Sequence, residues 1–143
     1  MITSNNFLLH IGRQAKKDRI SYWNDEDVTS IRFSREQGQT RTGLWFRTNG
    51  CAYDHQGGCM MCDYSSGPRT TASEMADYVK QGLMKIPEKC HKLLVSPSGS
   101  MLDEREVPAD ALEGILALLA SSPHDCFSFE TRAETITEET VSL

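Results

Sequence analysis

The sequence predicts an α/β fold in which about two and a half βα units form an open parallel sheet. Three short apolar segments with the residue preferences of strands alternate with two segments whose apolar residues recur at helical spacing. A polar or glycine-containing segment follows each predicted strand. Because ligands of parallel sheets gather at the carboxyl ends of the strands, these segments are the first place to seek a site.

The first βα unit begins with a strand predicted over residues 42–47. Glycines and a proline between residues 49 and 70 predict a loop that bends tightly. Thr71 and Glu74 have the spacing of a capping box, which predicts the start of a helix, and Pro87 ends that helix.

The second unit has a buried strand over 92–96, a turn at Ser98, Gly99 and Ser100, and a helix with Pro108 at its first position. The third unit has a strand over 126–130 and only the start of a helix, predicted from the capping pattern at 135–138.

Residues 1–40 are predicted to form a polar leader that precedes the βα units of residues 41–143. Residues 1–47 contain eight Lys and Arg against five acids, whereas residues 48–143 contain seven against fifteen. A basic segment can contact a nucleic acid or another anionic partner, and the alternative is a solvated extension. Charge alone leaves both interpretations open.

Composition indicates one water-soluble domain. The chain has 143 residues, of which 38% are hydrophobic, and it has no apolar run long enough to cross a membrane. Its first residues lack the pattern of a secretory signal, and five cysteines without such a signal indicate a reducing compartment. We therefore predict a cytoplasmic protein without a membrane partner.

Three cysteines in the loop after the first predicted strand indicate a metal centre. Seven residues separate Cys51 from Cys59, and two separate Cys59 from Cys62. Three thiolates on a four-iron cluster leave one iron open for a substrate, so the spacing favours an iron–sulfur enzyme. His55 lies in the same loop, and a structural zinc site with His55 as fourth ligand is the alternative.

The segments 47–51, 57–64, 98–108 and 130–132 resemble the radical S-adenosylmethionine (SAM) superfamily. The long gap between the first two cysteines is similar to that in the branch that includes the Elongator catalytic subunit and the radical SAM subunit of archaeosine synthase. The resemblance covers roughly residues 43–140. It implies that residues 41–143 are the N-terminal part of a larger partial (βα) barrel.

The resemblance also implies the cofactors and their contacts. A [4Fe–4S] cluster would be held by Cys51, Cys59 and Cys62, and it would cleave SAM to a 5′-deoxyadenosyl radical with an electron from a reductase. Modification of a tRNA base is the implied outcome. The residues implied to contact SAM precede the third cysteine or follow a strand, and they are Met61, Ser98, Gly99, Ser100, Glu130 and Arg132.

Two further alternatives follow from the sequence. One is a zinc-stabilised, non-catalytic module that binds nucleic acid or protein through residues 1–47, and the other is a truncated gene product without turnover. Three parallel strands leave an exposed edge, so we expect self-association or a protein partner there.

Several polar and cysteine residues are expected to lie outside the site. We expect Asp103, Glu104 and Glu106 in a solvated loop, with Asp103 fixing its turn. Cys126 lies in a predicted strand and Cys90 lies just before one, and we expect both to be small buried hydrophobic side chains.

Overall fold

The chain has a mixed α/β fold with a four-stranded open sheet in the order β1-β2-β3-β4. A computed structural model describes residues 28–56, 59, 64–65, 68–86 and 89–142, together with helical positions 7, 10–12 and 14. The strands are Thr29–Glu36 (β1), Gln39–Phe46 (β2), Lys92–Pro97 (β3) and Phe127–Phe129 (β4). The helices are Ala52–His55 (α1), Ala72–Met84 (α2), Ala109–Ala120 (α3) and Glu138–Val141 (α4), with a 3-10 turn at Ala133–Thr135.

The three predicted strands and two long helices are present in the predicted order. Strand β2 pairs in parallel with β3, and β3 pairs in parallel with β4. Thr71 caps α2 through the predicted box with Glu74. Pro108 is the cap before α3 and not its first residue, and Thr137 caps the short α4.

The expectation of an entirely parallel sheet is wrong, because β1 pairs antiparallel with β2. Strand β1 lies within the segment predicted as a polar leader, and of its side chains only Ile31 is partly buried against the core. Both residues of the turn, Gln37 and Gly38, have positive φ, as a type I′ hairpin requires. A mostly exposed strand and a Gln-Gly turn give weak sequence signals, which is why β1 was not predicted.

The hydrophobic core lies between one face of the sheet and the helices α2 and α3. Alternate residues of β2 and β3 point into it, and Leu44, Phe46, Leu93 and Val95 are fully buried. Helix α2 packs against β2, β1 and α3. The core therefore holds both helices on one face of the sheet. The loops that follow the strands lie at the carboxyl edge.

The two cysteines outside the loop differ in exposure. Cys90 is buried as expected, with its Sγ 3.3 Å from Nδ1 of His124. Cys126 is exposed, contrary to expectation, because it precedes the short edge strand β4. Among the described residues, no helix has the length and apolar character that a membrane crossing needs.

Candidate functional site

Three loops meet at the carboxyl edge of the parallel strands, as the sequence predicted. The loop after β2 contains Cys51, the loop after β3 contains Gly99 and Ser100, and the segment after β4 contains Arg132. Arg132 Nη1 lies 3.5 Å from Cys51 Sγ, and the Arg132 backbone N–H donates to Ser100 Oγ over 3.0 Å. The structure therefore brings one predicted ligand and several predicted cofactor contacts together.

The loop that contains Cys51 and Cys59 is called the cysteine loop, and its described parts contact each other near Gly50. Gly50 has a φ of 81°, and a Cβ at this position would lie 2.1 Å from the carbonyl oxygen of Tyr64. Asn49 Oδ1 accepts a hydrogen bond from the Thr70 N–H over 3.2 Å, and buried Asp54 accepts one from the Ser65 N–H over 2.8 Å. Only glycine fits at position 50, because the two ends of the loop touch there.

Cys51 and Cys59 are both half-buried, and several neighbouring groups affect the ionisation of Cys51. Burial raises the pKa of the Cys51 thiol, and the negative charges of Glu106 and Cys59 add to this increase. A hydrogen bond from the Tyr53 backbone and the positive charge of Arg132 act in the opposite direction. The net effect favours the thiol form of Cys51, and a bound metal ion would favour its thiolate.

The remaining predicted residues of this loop, Met61 and Cys62, lie outside the described residues. Within the described part of the chain, no group of three His, Cys, Asp or Glu side chains has the arrangement of a metal site. The three-cysteine ligand set therefore stays a prediction, of which the structure places Cys51 and Cys59.

The sequence-based assignment of Glu106 to a solvated loop is wrong. Its side chain is fully buried, and its carboxylate accepts hydrogen bonds from the backbone N–H of Ala52 (2.6 Å) and of Ser100 (2.5 Å). Its Oε1 also lies 2.8 Å from Arg132 Nη2. One carboxylate thus joins the loops after β2 and β3 to the segment after β4.

Gly99 provides the space that Glu106 occupies. Gly99 has a φ of 152°, and a Cβ on it would lie 2.2 Å from Glu106 Oε2 and 3.5 Å from the Cys51 Cα. The resemblance implies that Gly99 contacts SAM, but the space directly beside Gly99 holds the Glu106 carboxylate. A glycine within a polar turn gives no signal of which side chain approaches it.

Asp103 is buried, contrary to expectation, although it does fix its turn as expected. Its carboxylate accepts hydrogen bonds from the backbone and side chain of Arg105, and it also pairs with Arg132. The hydrogen bond from Arg105 holds the pKa of Asp103 below its usual value. Glu104 is exposed, as expected.

Arg132 is the cation at the centre of this network. Burial opposes its charge, yet the hydrogen bond and the negative charge of Glu106 raise its pKa above the usual value. Its side chain is only 25% exposed and also donates to Glu134. It therefore presents a permanent, firmly positioned positive charge to the Cys51 sulfur.

The hydroxyl groups of Ser98 and Ser100 are both used within the protein. Ser98 Oγ accepts a hydrogen bond from the Thr48 N–H over 2.8 Å and is itself buried. Ser100 Oγ lies 2.7 Å from the hydroxyl of Thr131 and is fully buried. These contacts tie the loop after β3 to its neighbours.

Glu130 lies at the same edge but apart from the Glu106 network. It is exposed, and its carboxylate accepts a hydrogen bond from Ser96 Oγ over 2.5 Å. The side chain of His55 is turned toward the loop, with Nε2 2.9 Å from the carbonyl oxygen of Asn49. Since a carbonyl only accepts, His55 Nε2 must be the donor and therefore holds its proton in this contact.

The chain is similar to parts of two longer proteins. It is 32% identical over 142 residues to an uncharacterized protein of Methanocaldococcus jannaschii, an alignment that covers 91% of this chain and 38% of that protein. It is 36% identical over 109 residues to archaeosine synthase subunit beta of Methanosarcina acetivorans, which covers 72% of this chain and 32% of that protein.

The chain thus spans about a third of the length of these curated relatives. No protein-family model matches it, and no solved structure matches it with significance. The similarity makes the chain a partial homologue of an archaeosine synthase subunit.

Proposed function

We propose that the chain is the cluster-binding part of a radical SAM enzyme that acts in tRNA modification. The observation that carries this proposal is the placement of Cys51 beside Arg132 at the carboxyl edge of a parallel sheet. Enzymes built on parallel sheets place their sites at this edge. The proposed barrel would be completed by strands beyond those of this sheet.

The residues present suit an iron–sulfur cluster held by Cys51, Cys59 and Cys62. Thiolates are the protein ligands of such clusters, and hydrogen bonds to the sulfurs tune their reduction potential. Arg132 supplies an N–H group 3.5 Å from the sulfur of Cys51. When bound, the cluster supplies the electron that cleaves SAM to a 5′-deoxyadenosyl radical.

The protein itself supplies ligation, positioning and local charge. Glu106 fixes the backbone directly after Cys51 by accepting from the Ala52 N–H, and it orients Arg132 at the same time. The hydroxyls of Ser98 and Ser100 hold the neighbouring turn. Among the predicted SAM contacts, we therefore assign ligand binding to backbone groups near Gly99, to Met61 and to the exposed Glu130, and we assign positioning to Ser98 and Ser100.

The substrate class is proposed from the similarity to archaeosine synthase subunit beta. Archaeosine is a modified nucleoside of tRNA, so a tRNA base is the proposed target. A reductase is the proposed source of the electron.

The direct test is anaerobic iron–sulfur reconstitution of the full chain, followed by EPR spectroscopy of the reduced protein with and without SAM. We expect a [4Fe–4S] signal that changes when SAM is added. Serine substitution of Cys51, Cys59 or Cys62 should abolish that signal.

Cys90→Ser and Cys126→Ser are matched controls, because both thiols lie away from the loop. They should retain the cluster. A cluster whose EPR signal does not change with SAM would indicate a truncated gene product without turnover. One tightly bound zinc ion in place of iron and sulfide would contradict the proposal and favour a zinc-stabilised binding module.

A further inference from the structure

The face of the sheet opposite the helices carries a cavity of about 320 Å³. Residues of all four strands line it, among them Arg32, Arg41, Lys92, Ser34, Ser128 and the apolar Leu94. The cavity lies toward the amino ends of β2 and β3, whereas Cys51 follows the carboxyl end of β2. It is therefore separate from the candidate site described above.

Positive charge in this cavity exceeds the negative charge that the described residues bring to it. Arg41 and Lys92 are direct partners in the pairing of β2 with β3. Like charges at directly opposed positions destabilise a sheet. Of the three cations, Arg41 pairs with Glu36, and in the described part of the chain neither Arg32 nor Lys92 has an ion pair.

The ion pair between Arg41 and Glu36 does not hold Arg41 strongly. The two side chains are 43% and 56% exposed, and exposed pairs of this kind contribute little free energy. The Nε group of Arg41 is shielded from solvent, and the residues that the structure describes provide no hydrogen-bond partner for it. A shielded donor without an acceptor is costly, and a bound ion or ligand is one recognised explanation for it.

The remaining lining complements the cations with hydroxyl groups and open space. Ser34 and Ser128 contribute hydroxyls on either side of β2 and β3. Gly43 contributes no side chain, and the nearest atom to a Cβ there would be the Arg32 carbonyl oxygen at 3.9 Å. The cavity thus combines three cationic side chains with two serine hydroxyls, and Gly43 adds no side chain to it.

We propose that this cavity binds the phosphate group of a nucleotide. A phosphate monoester has up to two negative charges and three terminal oxygens, and a phosphodiester has one charge and two such oxygens. Both offer several acceptors to two guanidinium groups and an ammonium group. The phosphate is part of either a free nucleotide or a nucleic acid. This inference is independent of the cluster chemistry, because it uses no residue of the cysteine loop.

The test is isothermal titration calorimetry of the full chain at low ionic strength with AMP, inorganic phosphate, adenosine and succinate. We expect AMP and phosphate to bind and adenosine and succinate not to bind. Arg41→Gln and Lys92→Gln should each weaken AMP binding at least about tenfold, the loss expected for one charge-assisted hydrogen bond. Glu36→Gln should tighten it, because the competing carboxylate is removed.

Lys80→Gln is the matched control, because it removes an exposed positive charge from the opposite side of the sheet and should leave binding unchanged. Thermal unfolding of each variant checks that it is folded. If Arg41→Gln or Lys92→Gln does not fold, Arg32→Gln at an exposed position replaces it.

Competition with AMP by unmodified tRNA would identify a nucleic acid as the source of the phosphate. A lack of competition would identify a free nucleotide. Absence of AMP binding, or AMP binding that these variants leave unchanged, would overturn the proposal.

Discussion

Glu106 is the residue on which the geometry of the candidate site depends. Its carboxylate contacts two backbone N–H groups and one guanidinium group, and each belongs to a different loop. Residues 103–106 are three acids and Arg105, and such a charged segment is typical of a solvated loop. Its burial follows from contacts with residues 54 positions before it and 26 positions after it, and no local pattern encodes these contacts.

We predict that Glu106→Gln lowers the free energy of unfolding by about 2 to 3 kcal/mol, because a buried charge-assisted contact with Arg132 is lost and one backbone donor faces an amide NH₂. Urea denaturation of the full chain measures this change. Glu104→Gln is the control, since this exposed neighbour should change stability by less than about 0.5 kcal/mol. Equal effects of the two substitutions would show that Glu106 does not join the loops.

His124 predicts a pH dependence of stability. Burial lowers its pKa, and its Nδ1 accepts the Cys90 N–H over 3.2 Å, which only the neutral ring can do. Because the folded state has the lower pKa, this contribution to stability is complete above the unfolded value of about 6.5 and is lost as the pH falls through the folded value.

We therefore expect stability to decrease as the pH falls below about 6.5. The decrease should be smaller in His124→Asn, whose side-chain oxygen still accepts a hydrogen bond without titrating. Urea midpoints at several pH values measure both slopes. Equal slopes in the original protein and in His124→Asn would show that His124 does not cause the pH dependence.

At the scale of elements, two helical glycines have opposite roles. A Cβ on Gly82 in α2 would lie 2.2 Å from Leu44 Cδ1, and Leu44 is fully buried, so it has no free space into which to move. A Cβ on Gly114 in α3 would lie 3.5 Å from Ala76 Cβ, which is an ordinary contact. Helix α2 therefore lies close to the sheet because residue 82 has no side chain.

The same substitution should consequently have opposite effects at these positions. Gly114→Ala should stabilise the protein by up to about 1 kcal/mol through helix propensity. Gly82→Ala should destabilise it by about 1 to 2 kcal/mol, because overpacking exceeds the gain in propensity. Thermal unfolding of both variants tests this, and stabilisation by Gly82→Ala would show that α2 can move away from β2.

At the scale of the whole molecule, the sheet ends in a short parallel strand. In the described part of the chain no strand pairs with the outer side of β4. The carbonyl of Cys126 accepts from the Leu93 N–H, so the backbone groups of the next residue, Phe127, point to the open edge. The Phe127 side chain is 40% exposed at this edge.

We predict that the chain associates through β4, with a second copy or with a partner that supplies further strands. Light scattering after size-exclusion chromatography should show mass that increases with protein concentration. Phe127→Lys should reduce this association, because charged side chains protect sheet edges. Phe33→Lys is the control, since Phe33 is an exposed aromatic residue of the antiparallel strand at the other edge. A monomer at all concentrations would contradict the prediction.

The sequence by itself determined the parallel β2–β3–β4 core, the capping box of α2 and the meeting of the polar loops at one edge of the sheet. These features follow from local periodicity, from turn residues and from the general geometry of parallel sheets. Only the tertiary structure decided that β1 adds an antiparallel strand, that Glu106 and Asp103 are buried beside Arg132, and that Arg41 faces Lys92 across the sheet. Each of these depends on contacts between distant parts of the chain, whose energies come from burial and charge pairing that no single segment of sequence contains.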